Sequence, residues 1–306
     1  MKSTRHVGVS FCNGSIQLAE IELGKKTIVT SLAERKTSID LIQAGIHLSA
    51  DHPQVATLVG ELGDLVKRNK IAAKGVSYAL PADPVFINII PLPTSLQGRS
   101  LNDYLQWELR QYFPDAVAAD FIVTSHALPA KDKAVKPSFI VGVRRGMVTF
   151  LQKVTTELRL QLQRIDVDHL STEKVLSYNY PEVKGHNVAL FCVRITGIIA
   201  SIVRDGEIID YRTYRAGVPD DITKTVSAYL KHVKQLDGME SPAALFLYGL
   251  PVPPETVKRI RSETDVQTIV VNALRKLSVA GRVYDQFTRE SNRFAPAIGL
   301  GLRSAR

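Results

Sequence analysis

The sequence predicts an α/β chain of duplicated architecture, with a small α+β module inserted in its first half. Three observations predict it: two β-rich stretches with the same internal plan, helix and strand signals after each, and a run of mixed elements between them. Length and composition permit such a chain. At 306 residues, with 45% hydrophobic and 23% charged residues, it can bury a sizeable core. A disordered or collagen-like polymer is excluded, because the 19 glycines and 15 prolines follow no three-residue period.

The first stretch reads HVGVSFCNG, SIQLAEIEL and TIVTSLAER within residues 6–35. The second reads NVALFCVRI, GIIASIVRD and EIIDYRTYR within residues 187–215. Each is three β-rich segments divided by short turns, with Gly24-Lys25-Lys26 and Asp205-Gly206 as the second turns. Glycine beside a charged residue between alternating runs is a hairpin signal. After the first meander, Val55, Leu58, Val59, Leu62, Leu65 and Val66 form one stripe of a helix over 55–69. After the second, Gly217, Pro219 and Asp220-Asp221 mark a helix start. A strand over 243–248, a helix from 255 and a strand over 267–271 come next.

Between the meanders the spacing predicts strands over 75–80 and 85–91, then a helix over 101–112 closed by Pro114. Strands over 121–128 and 138–143 follow, with a basic loop at 131–136. A helix from Met147 carries the stripe Val148, Leu151, Val154, Leu158 and Leu162. The expected division is therefore 1–74 with 166–186 as the first lobe, 75–165 as the insertion and 187–306 as the second lobe. The closing C-terminal helix is left free to return to the first lobe.

Four stretches, taken in order, resemble the PilM family of type IV pilus assembly proteins, relatives of the division protein FtsA. They are VGVSFCNGSIQLAEI from Val7, ALPADPVFINIIPLP from Ala79, LNDYLQWELRQYFP from Leu101 and FAPAIGLGLRS from Phe294. The resemblance covers nearly the whole chain. It implies an actin-like, two-lobed fold with nucleotide in the cleft, gripped by the first hairpin turn of each lobe and by a glycine-rich adenosine turn.

Phosphate needs close backbone approach and inward N–H donors, and its bridging metal needs carboxylates. The family's turns therefore carry Asp and, two residues on, Gly. Here Ser10 stands at the Asp position and Cys12 at the Gly position, followed by Asn13 and Gly14. In the second turn Cys192 and Arg194 take those places, and the adenosine turn keeps only Gly249. The expectation is no bound cofactor, no metal and no catalysis, with Arg194 conceivable as a lone phosphate-binding cation. The alternative is an active ATPase that switches or polymerises with Mg-ATP.

Two cysteines are too few for a disulfide framework, and the default for them is a pair of buried thiols at strand ends. The seven histidines stand singly, for which surface or loop positions are the default. Asp166 and Asp168 form D-x-D before a helix, where Asp168 or Ser171 reads as its cap.

The net charge of +9 concentrates in residues 131–164 and 255–306. Aromatics are not interleaved there, so no nucleic-acid partner is expected. An anionic membrane surface fits the charge, as does a solvated face. The N-terminus has no signal-peptide pattern, and the longest apolar run, 188–203, is short and contains Arg194. The chain reads as soluble and cytoplasmic.

The resemblance implies an adaptor that binds the cytoplasmic N-terminal peptide of a bitopic inner-membrane protein (PilN in the pilus system), in a groove formed with the insertion. Tyr104, Trp107, Glu108, Gln111 and Tyr112 are the candidate groove residues. The competing reading places Trp107 and Tyr112 in the small module's core. Self-association into a ring or filament is left open.

Overall fold

The two meanders become the halves of two sheets with the same strand order. The computed structural model describes residues 3–45, 47–114, 120–128, 134–215, 222–236 and 238–303. The predicted helix start at Gly217 to Asp221 and residues 131–133 of the basic loop at 131–136 lie outside them. In the first sheet, β1 (Thr4–Cys12), β2 (Ser15–Leu23) and β3 (Thr27–Lys36) run antiparallel. β4 (Gly75–Leu80) then adds parallel to β1, β8 (Gln161–Val167) adds to β4, and the short β14 (Ser278–Val279) adds to β3. In the second sheet, β9 (Val188–Arg194), β10 (Gly197–Arg204) and β11 (Glu207–Arg215) repeat the meander. β12 (Ala244–Gly249) and β13 (Gln267–Val270) repeat the parallel additions.

Two readings made from periodicity change here. Spacing puts the strand over 75–80 in the inserted module, but β4 pairs Val7 with Val76 and belongs to the first sheet. Spacing also extends the helix stripe to Leu162, but the helix ends at Glu157 and Leu162 pairs with Val76 in β8. Both differences have one cause. Sheet membership is set by pairing with strands distant in sequence, and local spacing carries no record of that pairing.

Contacts divide the chain into two units. One comprises Met1–Thr37, Gly63–Leu80 and Leu160–Arg306 and holds both sheets. Within it, α5 (Asp168–Asn179) and α9 (Ala295–Arg303) pack together, and α9 also lies on β1, β2 and β4. α6 (Ile222–Gln235) and α7 (Pro254–Thr264) supply Val226, Tyr229, Val233 and Ile260 to the core of the second sheet. Close approach of α9 to α5 depends on Gly299, where a Cβ would sit 1.9 Å from the Ser171 carbonyl oxygen. Gly299→Ala gains about 1 kcal/mol of helix propensity but forces that contact apart. The expected net loss is about 2 kcal/mol in urea unfolding, and a change within about 0.5 kcal/mol would contradict the packing.

The other unit comprises Ser38–Leu62 and Pro81–Arg159. Its sheet has the order β5 (Phe86–Pro93), β7 (Val135–Arg144), β6 (Phe121–Ala127). α3 (Gly98–Tyr112) contributes Leu105 and Leu109 to a core with Phe86, Ile90, Phe121 and Ile140. α4 (Arg145–Glu157) buries Met147, Phe150, Leu151 and Val154.

Candidate functional site

The first hairpin turn of each sheet is the predicted phosphate grip, and the fold brings these turns into contact. Asn13 and Gly14 have φ of +50° and +70°, the left-handed pair that a two-residue hairpin turn requires. This geometry places the Asn13 side chain against the turn that follows β9, where its Oδ1 accepts the Ile195 N–H at 3.3 Å. Ser10, at the position where the family carries Asp, is buried, and its hydroxyl donates to Gln17 Oε1 at 3.4 Å. Gln17 Nε2 in turn donates to Glu34 at 3.0 Å, and Glu34 pairs with Arg293. A neutral hydroxyl feeding an amide, carboxylate and guanidinium chain thus stands where the family carries its metal-orienting acid.

Arg194 is 5% exposed, and its guanidinium is bonded to the Asp168 carboxylate. Its Nε also donates to Cys192 Sγ at 3.3 Å. Burial works against the cation, but Asp168 above all holds it protonated, with its pKa raised well above the ordinary value. This corrects two expectations. Arg194 is not a free cation, and Asp168 is not a helix cap: it is the first residue of α5, directed at Arg194. Cap propensity is local, whereas the ion pair joins residues 26 apart in sequence. Asp166 pairs with Arg303 at 3.0 Å, and the Ser171 hydroxyl donates to the Asp168 carbonyl.

A polar cluster surrounds this pair. His169 is fully buried, with Nδ1 3.0 Å from the Tyr248 hydroxyl and Nε2 2.8 Å from Ser201 Oγ. Burial, reinforced by Arg194, lowers its pKa to about 3. His6 is buried as well, 2.9 Å from Ser77 Oγ, and burial followed by Arg164 lowers its pKa to about 4. The default of surface or loop positions therefore fails for both. His6 shares its strand face with Gly8 and Ser10, and His169 sits among buried Asp168, Ser171 and Thr172, so no apolar pattern in the sequence marks either as buried.

Burial and the neighbouring Cys192 push the Cys12 thiol up to about 12, and burial raises Cys192 too. Neither thiol is poised as a nucleophile. Gly249 has φ of +99°, and a Cβ there would lie 2.3 Å from the Val193 carbonyl oxygen. The Leu250 N–H donates to that same oxygen at 2.8 Å, so the adenosine turn is stitched to the end of β9. Among the described residues no group of three or more His, Cys, Asp or Glu side chains is placed to hold a metal ion.

The second candidate site is the outer face of α3. Leu105 and Leu109 are buried, while Trp107 is 52% and Tyr112 48% exposed. The reading that places these two aromatics in the module's core is corrected: the leucines fill it. Leu101, Leu105 and Leu109 recur every four residues and put Trp107 on another face, a signal present in the sequence. Tyr104 lies 5.5 Å from Trp107 between ring centres, and Tyr112 lies 4.9 Å from Phe86. The Tyr112 hydroxyl accepts from Asn88 Nδ2 at 2.8 Å, and Gln111 Nε2 donates to the Trp107 carbonyl at 3.4 Å. Glu108 is half-buried on the same helix. These contacts fix an aromatic ledge of defined geometry. Asp115, where the family tends to have Phe, lies outside the described residues.

The family model described as type IV pilus assembly protein PilM matches residues 8–232. The chain belongs to the PilM family. Among solved structures, a chain of the PilM-PilN type IV pilus biogenesis complex is similar over 98% of both chains, at 15% identity and a TM-score of 0.78. The expected actin-like α/β fold is the one found, with the same strand plan in both sheets. Two weaker likenesses are to a protein of actin-like ATPase fold and unknown function from Bacteroides thetaiotaomicron and to the cytoplasmic domain of EpsL from Vibrio cholerae. The first has 14% identity, 88% and 91% coverage and a TM-score of 0.49. The second has 10% identity, 92% and 89% coverage and a TM-score of 0.48. No curated protein matches in sequence. No helix among the described residues is long and apolar enough to cross a membrane.

Proposed function

We propose that this PilM-family chain is a non-catalytic adaptor of a type IV pilus or related secretion machine. It binds the cytoplasmic N-terminal peptide of a PilN-like inner-membrane protein and is held at the membrane through that partner. The observation that carries the reading is the aromatic ledge on α3, half exposed and anchored from beneath by Leu105 and Leu109. Exposed tryptophan and tyrosine on a rigid helix supply large contact area at small entropic cost, the usual make-up of a binding hot spot. The similar structure of a PilM-PilN complex supports the class of partner.

The ATPase alternative is disfavoured by the residues at the turns. The Asp168 carboxylate, bonded to the second turn, already holds Arg194, and the Ile195 N–H that would face a phosphate is taken by Asn13. These residues do not fit a Mg-nucleotide, and no step of the proposed function passes through one. Trp107→Ala should weaken peptide binding at least tenfold by calorimetry while leaving unfolding stability within about 1 kcal/mol, because the side chain is half exposed. Unchanged peptide affinity would remove the ledge from the interface. Titration with Mg-ATP should give no saturable heat, and micromolar affinity would sink the non-catalytic reading.

A further inference from the structure

We propose that Asp168, Arg194 and Asn13 form a built-in clasp that holds the hairpin turns of the two sheets together with no ligand between them. Arg194 is the last residue of β9 in the second sheet, and Asp168, the first residue of α5, directly follows β8 of the first sheet. Asn13, at the tip of the β1–β2 turn, reaches across to the Ile195 N–H at 3.3 Å. One charged bond and one neutral bond therefore cross the same junction within one compact unit. A bridging phosphate and metal would supply opposite charges and inward hydrogen bonds there. The guanidinium and carboxylate supply both from within the chain.

The burial of the pair is what makes it a clasp rather than a surface ion pair. Both side chains are almost fully enclosed, so opening the junction must hydrate them together, and closing restores both at once. His169, the residue after Asp168, has its Nδ1 3.0 Å from the Tyr248 hydroxyl and so ties the start of α5 to the second sheet beside the pair. The clasp does not depend on which partner the chain binds, and its main readout needs no nucleotide.

The chain supplies its own reporters, since its two cysteines, Cys12 and Cys192, both lie at the clasp. The experiment follows labelling of Cys192 by a maleimide in a Cys12→Ser background, with protein stability measured in parallel. Asp168→Asn keeps the Arg194 side chain beside Cys192, so faster labelling there reports opening rather than lost cover. The expected result is at least a tenfold faster rate, beyond what global unfolding allows. The double variant Asp168→Leu/Arg194→Met removes both charges and avoids a stranded ion; it should regain stability yet still label fast. Labelling of Asp168→Asn within twofold of the parent would overturn the clasp. So would a double variant that labels as slowly as the parent, since ordinary packing would then close the junction. Slowing of the parent's labelling by Mg-ATP would also overturn it, by showing that a ligand supplies the closure.

Discussion

Asp168→Ala is expected to destabilise the chain by about 3–5 kcal/mol, at the upper end of what one substitution does. The loss has a specific origin. Removing the carboxylate leaves the Arg194 guanidinium buried without its counter-charge, which is far costlier than the absence of the whole pair. The sign of the partner effect distinguishes this from simple loss of packing. Replacing both residues with apolar side chains of similar volume should recover most of the loss, because such swaps are often neutral. Chemical denaturation with an unchanged m-value is the check. A loss below about 1 kcal/mol for Asp168→Ala would mean that water reaches Arg194, and the closed geometry would then be wrong.

Lowering the pH from 7 to 5 is expected to reduce stability by about 4 kcal/mol through His6 and His169. Both have folded-state pKa values below the unfolded value of 6.5, at about 4 and about 3. In the unfolded chain each takes up a proton as pH falls through 6.5, while in the folded chain each stays neutral. Stability is therefore full above about 6.5 and declines by about 1.4 kcal/mol per pH unit for each histidine. The decline ends near 4 for His6 and near 3 for His169. Glu173 works in the opposite direction, since burial raises its pKa and its partial protonation relieves a penalty as pH drops. Denaturation at pH 7, 6 and 5 reads the slope, and His6→Gln should remove about half of it. A slope below about 0.5 kcal/mol per pH unit would place both histidines in contact with water.

The duplicated plan was legible because it rests on short-range signals. The Asn13-Gly14 and Asp205-Gly206 turns carry residues that accept positive φ, and the strands beside them alternate or run apolar for fixed lengths. What was hidden depends on distant partners. Asp168 looks like a cap since its local sequence suits one, and nothing near it in sequence points to Arg194. Leu162 continues a helical stripe by chance of spacing, whereas pairing with Val76 places it in a strand. His169 gives no pattern at all, because its hydrogen-bond partners Tyr248 and Ser201 come from the second sheet. The altered turns themselves are readable residue by residue, but the contact between them required the fold.

The chain's single tryptophan makes the central claim directly measurable. Trp107 is 52% exposed on the proposed partner face, so the free chain is expected to emit as a wetted indole. Titration with the N-terminal peptide of the PilN-like partner, followed by Trp107 fluorescence, should give a saturable shift to the blue as the ring is covered. Emission that stays unchanged through a titration in which calorimetry shows the peptide bound would contradict the account, since the partner would then sit elsewhere on the chain.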